Sequence, residues 1–312
     1  MKAVRVHEWS SPPLLEEVDD PSRLDGHTLV RMEAATVGHL DRTIWAGGFL
    51  RHPPLPYTPG VEGSGVVVDS DIFATGERVW LRGGGLGTAT DGTWSELVSA
   101  PSHIVGLLPD NVPFDLGSVF FSPCTSAWVS LHDVADVQPG ATVLVSGANG
   151  AVGSVTVQLA LGMGAHVIGA VSSAEAAAEL PDDVTPLVTT DPLEPDAIQA
   201  DVLIDPVGGE VLNTLLPLVR PGGRAVLVGY VGGASLTLTL PVFVQRDVSL
   251  LPLNMINREQ QGRDAVPELL ARLGDGRLQM PVTRFGFDDS AAALDWLVQR
   301  GHRGRAALVK EM

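Results

Sequence analysis

Apolar positions along this chain change their rhythm twice. Through the first hundred residues they form short runs at 2–6, 28–34, 63–68, 78–81 and 94–98, set between prolines and glycines, which predicts a β-rich unit with tight turns. Around Pro109 and Pro113 the spacing turns helical. Farther on, brief apolar runs at 143–145, 164–171, 201–205 and 224–229 alternate with helical segments, the pattern of buried strands in a parallel sheet covered on both faces. Val152, Val155, Leu159 and Met163 place one apolar face on the helix after the first of these strands. Residues 235–240 alternate with period two and predict a half-buried strand, to be covered by a second copy of the chain in sheet-edge pairing or by a loop of its own. Near the end, Asp288 and Asp289 offer a cap to a helix with Leu294, Leu297 and Val298 on one face, stopping near Gly301. Residues 302–310 predict a closing strand.

Composition trims the classes open to such a chain. Its 312 residues suggest about two domains, and 45% hydrophobic content suits a globular enzyme. A net charge of −17 argues against nucleic acid or an anionic membrane surface as partner, since both require a basic footprint. No run reaches about 18 uninterrupted apolar residues, and the opening residues lack a leader pattern, so the expected location is the cytoplasm. Cys124 is the single cysteine, which removes intrachain disulfides and thiolate-rich zinc sites; a buried, inert thiol is expected.

The segment that carries chemistry runs from Val143 to Gly153. An apolar strand enters the turn Gly147, Ala148, Asn149, Gly150, Ala151, Val152, Gly153 and continues as a helix, whose first-turn amides point at an anion. The spacing Ala148-x-Gly150-x-x-Gly153 is a dinucleotide fingerprint with alanine at the first glycine place. About twenty residues on, where an acidic side chain would accept from a ribose 2′-hydroxyl, stand Ser172 and Ser173, which would not repel a 2′-phosphate. Asp205 and Gly208 follow a later strand, and Gly229 and Tyr230 the next; both strand ends are expected to face the cofactor. His39 is a candidate proton donor, and Trp45 and Phe49 are flat surfaces for stacking or for core packing. The acidic pairs at 16–17, 19–20, 182–183 and 288–289 read as solvated turns and caps.

These features occur in the order found in the medium-chain dehydrogenase/reductase superfamily, and the chain most resembles its zinc-independent quinone oxidoreductase branch. The resemblance rests on Pro56, Pro59, Gly60, Glu62, Gly63 and Gly65, on Gly92 to Glu96, on Pro139 and Gly140 before the first nucleotide strand, on the glycine turn, on Asp205 to Gly209, and on Gly222 to Arg224. It implies an α/β protein with a GroES-like β-rich catalytic domain over 1–121, completed by 247–312. A Rossmann doubly wound parallel-sheet domain over 122–246 would bind the nicotinamide between the two. Zinc alcohol dehydrogenases of the superfamily carry a cysteine where this chain has Gly38 and a histidine where it has Val61, so no metal is expected.

Without a Lewis acid, an acceptor that spreads the arriving charge is favoured, namely a quinone or an α,β-unsaturated carbonyl. The resemblance also places Thr43 where the branch commonly has a tyrosine near substrate, Thr125 or Ser126 near the nicotinamide, and Asn254 toward its carboxamide. The branch often follows its serine with a lysine, and Ala174, Glu175 and Ala176 supply none. NADPH is the expected cofactor, with NADH open, and a homodimer is expected. A zinc-free alcohol or carbonyl dehydrogenase, and a noncatalytic NADPH-binding relative, stay open as alternatives.

Overall fold

The structure, a computed structural model, describes residues 1–49, 52–192, 198–299 and 301–310. The chain begins with β1 (Lys2–Arg5), β2 (Leu14–Glu17), β3 (His27–Val37), α1 (His39–Trp45), β4 (Glu62–Asp69) and β5 (Arg78–Arg82). Next come β6 (Leu97–Pro101), β7 (Val105–Leu107), α2 (Phe114–Val119) and α3 (Phe121–Val129). The middle runs β8 (Thr142–Ser146), α4 (Ala151–Gly162), β9 (His166–Val171), α5 (Ala174–Ala177), β10 (Val184–Val188), β11 (Ala200–Asp205), α6 (Gly209–Leu215) and β12 (Val219–Leu227). The last elements are α7 (Leu240–Arg246), β13 (Ser249–Pro252), α8 (Glu259–Gly274), β14 (Val282–Phe285), α9 (Ser290–Trp296) and β15 (Arg305–Val309). Contacts divide them into two units, Met1–Phe121 with Leu270–Met312, and Ser122–Leu269.

In the first unit, β3 is the hub. It pairs antiparallel with β4, β6 and β15, so the C-terminal strand closes onto a sheet begun almost at the N-terminus. Two clusters form its core, one around Val30, Met32, Val79 and Leu81, the other around Val4, Ala35, Trp94, Leu294 and Leu308. The expected strand at 94–98 begins later, at Leu97, because Trp94 is committed elsewhere: its ring is fully buried and its Nε1 donates to Thr36 O at 2.7 Å. In the C-terminal helix Leu294 and Leu297 are buried as expected, but Val298 is exposed and Asp289, at the cap, makes no side-chain capping bond.

The second unit is a six-stranded sheet in the order β10-β9-β8-β11-β12-β13, with every pairing parallel. Numbered within the unit, that is 3-2-1-4-5-6, the doubly wound order whose direction reverses between β8 and β11. Val143, Leu144, Val145, Leu203 and Ile204 have no exposed surface, as strands covered on both faces require, and burying each such side chain contributes about 1.5–3 kcal/mol.

The expected strand at 235–240 is absent. The alternation is real in burial, since Leu236 and Leu238 pack against the core while their neighbours are exposed, but no strand pairs with the segment, and Leu240 already opens α7. The sheet edge belongs to β13, and neither it nor β10 was anticipated from the spacing.

Candidate functional site

At the point where strand order reverses, the carboxyl ends of β8 and β11 are tied by a side-chain knot. Ser146 Oγ donates to Asp205 Oδ1, and the backbone N–H groups of Val207 and Gly208 donate to the same carboxylate at 3.3 and 2.9 Å. Asp205 is fully buried; burial raises its pKa, and the bonds from Ser146, Gly208 and Val207 oppose that rise. Its carbonyl receives Val228 N–H at 2.9 Å, which ties in the end of β12. Asp205 therefore fixes the floor of the crevice, with its carboxylate turned inward. Gly208 follows it at φ +75° and Gly229 is half-buried, whereas Tyr230 is 69% exposed.

The glycine turn is built by steric necessity. Gly147 has φ +55° and its carbonyl accepts from Gly150 N–H at 2.8 Å, closing the turn before α4. A Cβ on Gly153 would press into that same carbonyl. Ala148 is buried and its N–H donates to Ala170 O of β9, so the alanine at the first glycine place points its methyl into the protein. Gly150 caps α4 without a side chain, and the N–H groups of Ala151, Val152 and Gly153 belong to the first helical turn, whose amides have no acceptor within the helix. Together with the dipole of a twelve-residue helix they make a place for a diphosphate.

Asn149 Nδ2 donates to Ala176 O at 2.7 Å and holds the turn to α5. Ser173 caps α5, accepting from Ala176 N–H at 3.2 Å, and bonds the Glu175 carboxylate, whose pKa its own backbone and Ser173 lower. Ser172 is exposed beside it. Thr125 is buried and packs where Gly262 admits it, Ser126 is half-buried, and Asn254 is exposed with its Oδ1 accepting from Ile256 N–H. Cys124 is buried.

The remaining expected residues lie in the first unit, around α1. Thr43 Oγ1 donates to His39 O at 2.8 Å. His39 shows part of its ring to solvent, yet desolvation, followed by the charges of Arg305, His302 and Arg42, lowers its pKa to about 4. At neutral pH this ring is uncharged, so it offers a neutral N–H or a lone pair. Trp45 donates from Nε1 to Ser11 O at 2.7 Å, and Phe49 packs against the small core of Val6, Ile44, Tyr57 and Val61.

Three residues beside them had no signal in the spacing. Asp41 is 1% exposed, and its carboxylate accepts from Gly38 N–H at 2.8 Å and Val61 N–H at 2.9 Å. Burial raises its pKa to about 6. Thr36 Oγ1 accepts from Arg305 Nη2 at 2.8 Å. Arg305 Nη1 lies 2.9 Å from where a Cβ of Gly38 would stand. A zinc ion does not fit this donor set: Gly38 has no ligand atom, Val61 is apolar, and a cation already covers Gly38. Among the described residues no group of three or more His, Cys, Asp or Glu is placed to hold a metal.

The fold and the turn define an α/β dehydrogenase/reductase with a doubly wound nucleotide unit. Residues 24–110 match the family model of the alcohol dehydrogenase GroES-like domain, and residues 151–273 that of the zinc-binding dehydrogenases. The quinone oxidoreductase of Lama guanicoe is 30% identical over 248 residues, covering 74% of each chain. Among solved structures, an alcohol dehydrogenase superfamily protein from Novosphingobium aromaticivorans superposes with a TM-score of 0.87 at 26% identity over the whole of both chains. The Escherichia coli quinone oxidoreductase complexed with NADPH does so at 0.87 and 19% identity, covering 99% of this chain and 100% of that one. The chain belongs to the medium-chain dehydrogenase/reductase superfamily and is an enzyme of its quinone oxidoreductase-like group.

Proposed function

We propose that the protein passes hydride from NADPH to a quinone or to an alkene conjugated with a carbonyl, without a metal ion. The observation that carries this reading is the turn from Gly147 to Gly153 at the switch point of a 3-2-1-4-5-6 sheet, a cradle suited to the diphosphate of a dinucleotide. When bound, the cofactor supplies the hydride. The chain's part is to hold the diphosphate on the α4 amides, to fix the crevice through Ser146 and Asp205, and to orient the acceptor. Gly38 and Val61 support the metal-free reading, because neither offers zinc a ligand.

Ser172 and Ser173 support NADPH, since neither repels a 2′-phosphate. No lysine or arginine occurs between Arg82 and Arg220, however, so the sequence around this strand end supplies no cation to attract one. The expected preference for NADPH over NADH is therefore below about tenfold, and Ala174→Arg raises it by about tenfold.

The test is oxidation of NADPH and of NADH by metal-stripped protein with quinones, enones and simple ketones. Turnover of quinones or enones that survives chelators supports the reading. Ketone reduction alone, or activity restored only by zinc, rejects it. Dinucleotide binding without turnover of any acceptor would leave a binding protein in its place. Assembly as a homodimer belongs to the same reading.

A further inference from the structure

Within the second unit, the end of β9 and the glycine turn are held as one surface. The strands β8 and β9 run parallel with Ser146 opposite Ala170, Ala148 N–H donates to Ala170 O at 3.1 Å, and Asn149 Nδ2 donates to Ala176 O at 2.7 Å. The segment between Ala170 and Ala176 is therefore pinned beside the turn at both ends. It carries two hydroxyls and one carboxylate, those of Ser172, Ser173 and Glu175. Ser173 Oγ accepts from Ala176 N–H at 3.2 Å and donates its one O–H to the Glu175 carboxylate, which also accepts from its own backbone N–H. These bonds, the backbone one foremost, hold the Glu175 carboxyl below the usual carboxylate range, so this exposed group is charged at neutral pH. No cation along the neighbouring chain offsets it. Arg220, the next basic residue after it in sequence, is paired with Asp201, whose other oxygen accepts from Thr142 N–H at the opposite end of β8.

A dinucleotide whose diphosphate rests on the α4 amides has its adenosine ribose beside the end of the unit's second strand, which here is β9. We propose that the Glu175 carboxylate reads that ribose, accepting from the free 2′-hydroxyl of NADH and opposing the 2′-phosphate of NADPH. The inference rests on the proposed dinucleotide binding and names the group that keeps the preference for the phosphorylated form small. Glu175 stands two residues beyond Ser173, outside the place that spacing alone marks for a ribose acid, and its bond to the Ser173 hydroxyl brings the carboxylate back toward that place. The same bond changes what Ser173 can do. A hydroxyl has one proton to donate, and with that proton spent on Glu175, Ser173 has none left for a phosphate. A 2′-phosphate brings a charge of about −1.5 to −2, and a carboxylate a few ångström away lowers its affinity about tenfold even across water.

Titration of the whole protein with NADH and with NADPH, followed by nicotinamide fluorescence, tests the proposal. Glu175 is exposed, so its variants keep the fold, which thermal melting checks. Glu175→Gln raises the ratio of NADPH to NADH affinity about tenfold. Glu175→Ala, which removes the acceptor as well as the charge, weakens NADH binding about fivefold. Because the discrimination is one of charge, the gain in Glu175→Gln shrinks as salt rises from about 0.02 to about 0.5 M, which a merely rearranged α5 would not produce. An affinity ratio altered by less than about threefold, an NADH affinity in Glu175→Ala equal to that of wild type, or a gain indifferent to salt overturns the proposal and leaves dinucleotide binding in place. Binding of neither dinucleotide by the wild type overturns this proposal and the proposed function together.

Discussion

Asp41 and His39 sit two positions apart on α1, and their surroundings drive them in opposite directions. Burial raises Asp41 to about 6, so the folded chain keeps that proton while the unfolded chain, near 3.8, has released it. This contribution is present below about pH 4 and is lost as pH rises to 6, by up to about 3 kcal/mol. His39 is lowered from 6.5 to about 4, so the unfolded chain takes up its proton first, and this contribution is lost as pH falls from 6.5 to 4. Urea midpoints between pH 4 and 7 separate the two. Relative to wild type, His39→Gln makes stability fall more steeply with rising pH, whereas Asp41→Asn tilts the profile the other way. Asp41→Asn also costs about 1–3 kcal/mol at every pH, because an amide has one acceptor for the two backbone N–H groups of Gly38 and Val61. Identical profiles in the three proteins would refute both assignments.

Among elements, the β8–turn–α4 unit depends on one missing Cβ. With Gly153→Ala, the new methyl meets the Gly147 carbonyl, a backbone atom that cannot swing aside as a flexible side chain would, so the turn must open. Dinucleotide affinity measured by calorimetric titration is expected to fall about 10–100-fold with a stability loss of about 1–3 kcal/mol; unchanged affinity would remove the turn from the binding site. This unit was legible because each of its signals is local: an apolar run, small residues, then helical spacing. The segment at 235–240 misled because alternation reports which side chains meet a core, and an extended stretch lying on that core alternates as a strand does without a ladder partner. The strand β10 was hidden by its exposed Thr185 and Pro186. Arg305 was out of reach altogether, since its meaning comes from Thr36, 269 residues away, and from a glycine that only the fold places beneath it.

For the molecule as a whole, the sheet of the second unit ends in two edge strands, β10 and β13. The strand β13 ends the six-stranded sheet, bonded on one side to β12. Just before it, α7 has the sequence LPVFVQR, with no buried residue and with Leu240, Val242 and Val244 at 65%, 56% and 72% exposure. Phe243 packs α7 against the core while Leu240, Val242 and Val244 stay exposed, an apolar surface that suits pairing with a second copy through the sheet edge that follows it in the chain. Sedimentation equilibrium at micromolar concentration is expected to give twice the mass of one chain, and Val242→Glu with Val244→Glu to give one. The double variant should retain dinucleotide binding, because the Gly147–Gly153 turn lies at the carboxyl end of β8, in the middle of the sheet order, away from the β13 margin. A wild-type monomer, or a dimer indifferent to both charges, would assign this apolar surface to some other use.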